Sequence, residues 1–321
     1  MSAVPMTQEL RGGRRLRDRF GDRLLLIVTS AAGLGAVVLI GFIAYKVIRG
    51  AHLALSTFGL PFVWHTAWDT NKNVFGAAPG LYGTAVTSLI ALLIATPLAL
   101  GIALFLSELA PRSLRLVVGS LVETLAAIPS VVLGLWGILV LGPFLADHVE
   151  PWLHNSFGFL PIFSGTPQSS GIFVAGVILA IMVVPIVASV CRELFLSVPP
   201  ELEEGALALG ATRWEMVRGV VLSSSRPGIG AAVILGLGRA LGEAIAVTQV
   251  IGAGWFIRSS LFAPGDTLAS RIAGQYQGAV SKLQIASLFY LAAILLVIGL
   301  LTNLLAQIVV KRFAFQRTGG S

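Results

Sequence analysis

The chain has 321 residues, 56% hydrophobic and 12% charged, with a mean hydropathy of +0.89 and a formal net charge of +7. A surface that apolar excludes a water-soluble globular domain. The positive excess does not point to nucleic acid, because its main cluster, Arg11 to Arg23, lies directly against the first apolar run, where anionic lipid is the nearer partner.

Six runs are long enough to cross a hydrocarbon core that needs about 20 helical residues: 24–45, 83–106, 124–145, 171–191, 228–251 and 285–310. Each is predicted to be a helix, because lipid offers no partner to exposed backbone groups. Fifteen of the twenty-two Lys and Arg fall on one side if the N-terminus is inside. Both termini are therefore predicted cytoplasmic. The chain then divides into a basic cytoplasmic tail (1–23), the first helix (24–45), an external segment (46–82), a core at 83–310 that holds the other five helices and a cytoplasmic loop at 192–227, and a cytoplasmic tail (311–321).

Arg14-Arg15 before an apolar run has the form of a twin-arginine signal. The run is too long for a signal-peptide core and lacks a clear small-residue cleavage site, so an uncleaved helix is expected. The external segment, with Trp64, His65, Trp68, Asp69 and two prolines, reads as a hairpin or short interfacial helix whose tryptophans anchor at the membrane surface.

Helices two, three and four contain Pro97, Pro129 and Pro185. Each is expected to bend its helix and to free a carbonyl that a neighbour must satisfy; Ser130 is placed to do so beside Pro129. These positions are hinge or pathway candidates, though packing alone also accounts for them. Glu123, near the inner end of helix three, is a weaker pathway candidate. The external stretch 146–170 holds Asp147, His148, Glu150 and His154 without a recognised ligand spacing, so it reads as a solvated acidic loop and no metal site is expected. The single cysteine, Cys191, excludes a disulfide framework and a cysteine-based metal site.

The most patterned segment follows helix four. Pro199-Pro200-Glu201 starts a helix, since proline is tolerated in the first turn and acids are favoured there. Gly210 should end it, and Thr212 with Glu215 has the form of a capping box that starts a second helix at 213. Leu207, Leu209, Trp214 and Val217 are then available for contact, which makes the segment a docking knob for a cytosolic partner.

Helix five carries Arg239 and Glu243, four residues apart, in a stretch otherwise made of Gly, Ala, Ile, Leu and Val. A charge at the bilayer centre costs at least about 2.5 kcal/mol, so the pair is a functional-site candidate. Arg239 lies eleven residues into the run, near half-depth at about 1.5 Å per residue. Its guanidinium offers a fork of donors to a tetrahedral oxyanion, and Glu243 one turn on would hold and neutralise it. An ion pair that only fixes packing is the other reading. Gly238 and Gly242 have the spacing that allows another helix to approach closely. The glycine spacing at 236–242 is not a dinucleotide loop, for no strand precedes it. After it, Asp266-Thr267 should cap a short amphipathic helix at 268–273 that can face an external partner.

Three segments together resemble a known family. Glu204-Gly205-Ala206, Gly210 and Val220-Val221-Leu222 are similar to the cytoplasmic loop of ATP-binding-cassette importer permeases, with Glu203, Thr212 and Glu215 beside them. Gly205 stands where that pattern has alanine, and Ser223 where it has proline. Ala127-Ile128-Pro129-Ser130 through Trp136-Gly137, and Gly236 through Ala244 with Arg239-Ala240-Leu241-Gly242-Glu243, resemble the phosphate-specific members, and among them the C-type subunit.

The resemblance spans roughly 24–312. It implies a type I importer permease, all-α, in a bacterial inner membrane, with Arg239 and Glu243 in the substrate path and the loop coupled to an ATPase. It also implies as partners an A-type permease, a cytosolic ATPase dimer and an external phosphate-binding protein. ATP would be used by the partner and no cofactor by this chain, which has no Gly-x-x-x-x-Gly-Lys-Ser/Thr loop and no convincing nucleophile–base pair, so no enzyme activity is expected. Sulfate or molybdate remains open as the anion. So does a self-sufficient carrier or channel, although a carrier has no need of a docking loop.

Overall fold

In the computed structural model, which describes residues 11–314, the chain is helical apart from one hairpin and its connecting segments. It divides into two compact units after Arg49. Helix α1 (Arg11–Phe58) begins within the basic segment and outruns its apolar stretch at both ends. Its side chains from Leu24 to Ile43 are exposed, as suits a helix that meets lipid.

The second unit opens with the last turns of that helix and a short 3-10 turn, Leu60–Val63, that leads into a two-stranded antiparallel hairpin, β1 (Trp68–Asp69) and β2 (Val74–Phe75). The remaining spans are α2 (Ala78–Leu109), α4 (Ser130–Phe157), α5 (Ile172–Leu196), α7 (Arg213–Gly242) and the last, α10 (Lys282–Ala314). Between them lie α3 (Arg112–Ala127), α6 (Pro200–Ala208), α8 (Ile245–Val250) and α9 (Leu268–Gln275).

Helix α5 is the centre, with two thirds of its apolar window buried. It packs closely on α2, which turns the row Ala91, Ala95, Ala99 and Ala103 inward, all wholly buried. A four-residue spacing of small side chains lets two backbones approach where lipid supplies no hydrophobic drive. At Gly176 an added Cβ would stand 2.6 Å from Ile90, so the approach leaves no room for one. A second cluster, at the face opposite the 192–227 loop, gathers Phe62, Phe75, Leu268, Leu288 and Leu291.

Two predicted helices break. Helix three does not run from 124 to 145: α3 ends at Ala127, Ile128 is extended at ψ 127°, and α4 begins after Pro129. A residue before proline is pushed out of the helical region. Pro129 therefore caps a new helix, where its missing N–H costs nothing, and Ser130 has no freed carbonyl to satisfy. Pro97 and Pro185 do lie inside α2 and α5, as does Pro227 inside α7.

The second break ends α7 at Gly242, where Glu243 turns extended at ψ 118°. The stretch 146–157 is not a solvated loop either. Helix α4 continues through it by π-type turns at Gly137–Leu141 and Leu145–Val149, which absorb Pro143 and Pro151, and Glu150 is fully buried with Oε2 accepting from the Gln168 N–H at 2.8 Å.

Candidate functional site

The predicted pair forms. Arg239 Nη2 lies 3.2 Å from Glu243 Oε2, although the two residues flank a helix end and do not share a continuous helix. Their environments differ: the Arg239 side chain is 45% exposed and that of Glu243 only 5%. Glu243 is held from the far side as well, its Oε1 accepting the Ala246 N–H at 3.2 Å near the start of α8. The carboxylate is thus fixed by backbone, and the guanidinium reaches out from it into open space.

That space is a cleft of about 730 Å³ between α5, α7 and α10, lined by aliphatic side chains with Arg239, Thr302 and Asn303. Gly238 and Gly242 face the cleft, and a Cβ on either would meet nothing within 4 Å. Their spacing therefore does not seat another helix of the described chain. The close approach falls instead at Gly236, whose added Cβ would lie 2.8 Å from Val183 and Val187.

The patterned loop folds as its residues predict. Helix α6 starts after Pro199, and Gly210 turns the chain at φ +87°, a conformation that only glycine adopts freely. The Thr212 N–H donates to Glu215 Oε2 at 2.8 Å while the Glu215 N–H donates to Thr212 Oγ1 at 3.3 Å, the reciprocal capping box. Leu209 is 91% and Trp214 64% exposed at its tip. Val217 is buried and not available for contact. Gly205 meets open space, so nothing there requires glycine in place of the family's alanine.

A feature that local sequence does not show is a groove of about 400 Å³ beneath this tip, where Leu104, Glu108 and Leu109 of α2 meet Glu203, Leu207 and Trp214. Burial, then the charges of Glu108 and Glu204, push the Glu203 carboxyl above the usual carboxylate range. Glu123 lies 3.9 Å from Arg192, a loose pair in which Glu123 is exposed and Arg192 half-buried, and Arg239 does not share it.

The opposite face holds a second ion pair that the sequence did not single out. Asp266 Oδ2 lies 2.9 Å from Arg271 Nε, both buried, and the Arg271 guanidinium stacks on Trp255 at 4.2 Å and sits over Trp68 at 5.6 Å. Trp68, expected as a membrane anchor, is packed here, and its Nε1–H donates to Gln275 at 2.8 Å. Thr267 caps α9 as its spacing predicts; α9 buries Leu268 through Arg271 against the second cluster and leaves Ala273 and Gly274 exposed.

Residues 95–315 match the family described as binding-protein-dependent transport system inner membrane component. The chain is 42% identical over 321 residues to the phosphate transport system permease protein PstC of Mesorhizobium japonicum, covering 99% of this chain and 98% of that one. It is 40% identical to the protein of the same name from Pasteurella multocida, over 93% and 94% of the two chains. Among solved structures, a bacterial ABC transporter involved in import of the acidic polysaccharide alginate has a TM-score of 0.57 at 20% identity, over 92% of this chain and 98% of that one. The inward-facing MetNI methionine ABC transporter gives 0.54 at 18%, over 73% and 94%. At such identities the two structures speak for the fold, which is that of type I ABC transporter permeases.

Proposed function

Because the chain belongs to the family of binding-protein-dependent transport system inner membrane components, we propose that it is the membrane permease subunit of an ATP-driven importer of inorganic phosphate. It is a multi-pass transport subunit of an ABC system and not an enzyme. Its partners in this reading are a homologous A-type permease, a cytosolic ATPase dimer and an external phosphate-binding protein. It sits in a bacterial inner membrane with both termini cytoplasmic, binds no cofactor itself, and leaves ATP to the partner.

The observation that carries the reading is the asymmetry of the ion pair. A buried carboxylate tied to backbone presents a half-exposed guanidinium to a cleft of ample volume. Arginine binds tetrahedral oxyanions through paired N–H donors, and Glu243 keeps it neutralised between passages, so that an arriving anion is held without being trapped. Arg239 contacts phosphate in transit and Glu243 positions it. The knob of 199–223, with Glu203, Glu204, Gly205, Ala206, Gly210, Thr212 and Glu215, receives the motion of the ATPase. Pro97 and Pro185 are hinge candidates within spans, whereas Pro129 and Ser130 mark a junction between two helices.

The test is radiolabelled phosphate uptake at micromolar phosphate in a deletion strain complemented with wild type or Arg239→Gln, with excess sulfate as competitor and ATP depleted in parallel. Restoration by the wild type that resists sulfate, needs ATP and is lost in Arg239→Gln is expected. Undiminished uptake by a normally assembled Arg239→Gln complex removes the transit role.

A further inference from the structure

Among the described residues, the cleft that holds Arg239 has two other polar side chains in its lining, Thr302 and Asn303 of α10. Thr302 is satisfied within its own helix, its hydroxyl donating to the Gly299 carbonyl at 2.9 Å. Asn303 is exposed and makes no side-chain hydrogen bond among the described residues. An amide without a partner, more than halfway along an apolar span, is unfavourable unless something polar meets it.

Its level relative to Arg239 follows from the lining. Helices α7 and α10 are consecutive spans and so run antiparallel, and each lines the cleft over the same length, from Ala231 to Gly242 and from Leu295 to Ala306. Gly242 therefore stands opposite Leu295, Arg239 opposite 298–299, and Asn303 opposite Ile234 to Leu235. At 1.5 Å per residue, Asn303 is about 7 Å nearer than Arg239 to the face that carries the 192–227 loop. Between and beyond the two the lining is aliphatic apart from Thr302, whose hydroxyl is engaged within its own helix.

We propose that Asn303 is a second phosphate-binding station, one step to the cytoplasmic side of Arg239, whose side-chain N–H takes the anion from the guanidinium. The proposal rests on the reading of the cleft as the phosphate path. A desolvated anion that leaves Arg239 inward meets no other unengaged side-chain donor in this lining, and a neutral amide holds it more weakly than a guanidinium does. Passage requires sites strong enough to enter and weak enough to leave, and an arginine followed by an asparagine meets that requirement.

The experiment measures radiolabelled phosphate uptake per assembled complex, with complex content determined by co-purification of the subunits, for the wild type, Arg239→Gln, Asn303→Leu, Asn303→Ser and Asn303→Asp. Loss of one hydrogen bond to a charged ligand predicts uptake lower by about tenfold in Asn303→Leu. Asn303→Ser, which keeps a donor, is expected to fall between Leu and wild type, and Asn303→Asp, which sets a carboxylate before the anion, to reach the ATP-depleted background. Wild-type rates per complex in both Asn303→Leu and Asn303→Asp overturn the proposal. So does a drop in assembled complex at an unchanged rate per complex, which identifies Asn303 as a contact with the partner permease. Loss in Arg239→Gln alone overturns only this station. If Arg239→Gln is also undiminished, the cleft itself is not the path and both readings fall.

Discussion

Replacing Asp266 by Asn is expected to loosen the face opposite the 192–227 loop more than any surface change there. The carboxylate is buried, lies 2.9 Å from Arg271 Nε, and accepts from the Thr267 N–H at 3.0 Å and from the Ser270 hydroxyl. Asparagine keeps the acceptor for the backbone but leaves the Arg271 guanidinium, itself only 6% exposed, without its counter-charge. Breaking one partner of a buried pair costs about 3–5 kcal/mol. The stacked Trp255 and Trp68 retain a cation–π attraction of about 2 kcal/mol for the orphaned charge, so the lower end, about 3 kcal/mol, is expected.

For a chain of this size about 2 °C of Tm accompanies each kcal/mol, which gives a fall of about 6 °C. The assay is the thermal melt of the detergent-solubilised complex for Asp266→Asn, Arg271→Met and the double variant. The double variant removes both charges and should lose much less than the sum of the singles, a coupling of about 2 kcal/mol or more. A Tm within 2 °C of wild type in Asp266→Asn, or strictly additive effects, refutes the reasoning, since either means that water reaches the pair.

Three further outcomes follow from the same geometry. Gly83→Ala places a Cβ 2.0 Å from the Asp266 carbonyl oxygen, a clash with backbone that should cost about 3 kcal/mol and depress complex yield, whereas Gly205→Ala meets open space within α6 and should add up to about 1 kcal/mol of helix stability; equal melts for the two would contradict both. Glu243→Gln, which retains an acceptor for the Ala246 N–H, is expected to assemble normally yet take up phosphate about tenfold more slowly, while Glu243→Ala also loses assembled complex for want of that acceptor; wild-type uptake in Glu243→Gln would mean that the carboxylate serves only as a cap. Glu203, raised by burial and by Glu108 and Glu204, binds its proton more tightly in the folded loop than in the unfolded chain, so the stability it lends is complete below its ordinary 4.5 and is lost as pH rises through the raised value; hydrogen exchange of α6 should therefore be slower in Glu203→Gln than in wild type at pH 8, with the gap closing below pH 4.5.

Much of this was legible because the signals were local. Long apolar runs marked the six spans, and Gly210 and the Thr212–Glu215 spacing fixed the loop, since each depends on residues within one or two turns. Arg239 and Glu243 declared themselves by charge against an apolar background. The break at Ile128 was also written in the sequence, for the residue before Pro129 avoids the helical region, but a proline inside an apolar run is equally compatible with a bend. The turn at Glu243 carried only the weak mark of Gly242 before it. Glu150 and Trp68 were misread as a loop residue and a membrane anchor because their partners, Gln168 and Gln275, are set beside them by tertiary packing, and the Asp266–Arg271 pair went unseen because Trp255 and Trp68 close over it only in the fold. Asn303 went unremarked for the same reason, because it acquires meaning only once α10 is laid against α7.

The break at Glu243 changes what the ion pair can do. Helix α7 starts at the capping box of the loop and ends at Gly242, thirty residues later, with a π-type turn at Val217–Val221 and Pro227 between them, so Arg239 stands on the same helix as the loop's exposed tip. Glu243 lies beyond the end of α7 and is tied through its Oε1 to α8, which packs on α4 and α9. Had the helix run on to 251, as its apolar run suggested, the two charges would be a fixed i,i+4 pair and would move together. With the chain turned at Glu243, Arg239 belongs to α7 and Glu243 is tied to α8, so the 3.2 Å contact can lengthen without unwinding a helix. A guanidinium drawn away from its carboxylate is a stronger anion site, and one returned to it a weaker one. The loop and the cleft are therefore joined by one helix and one turn.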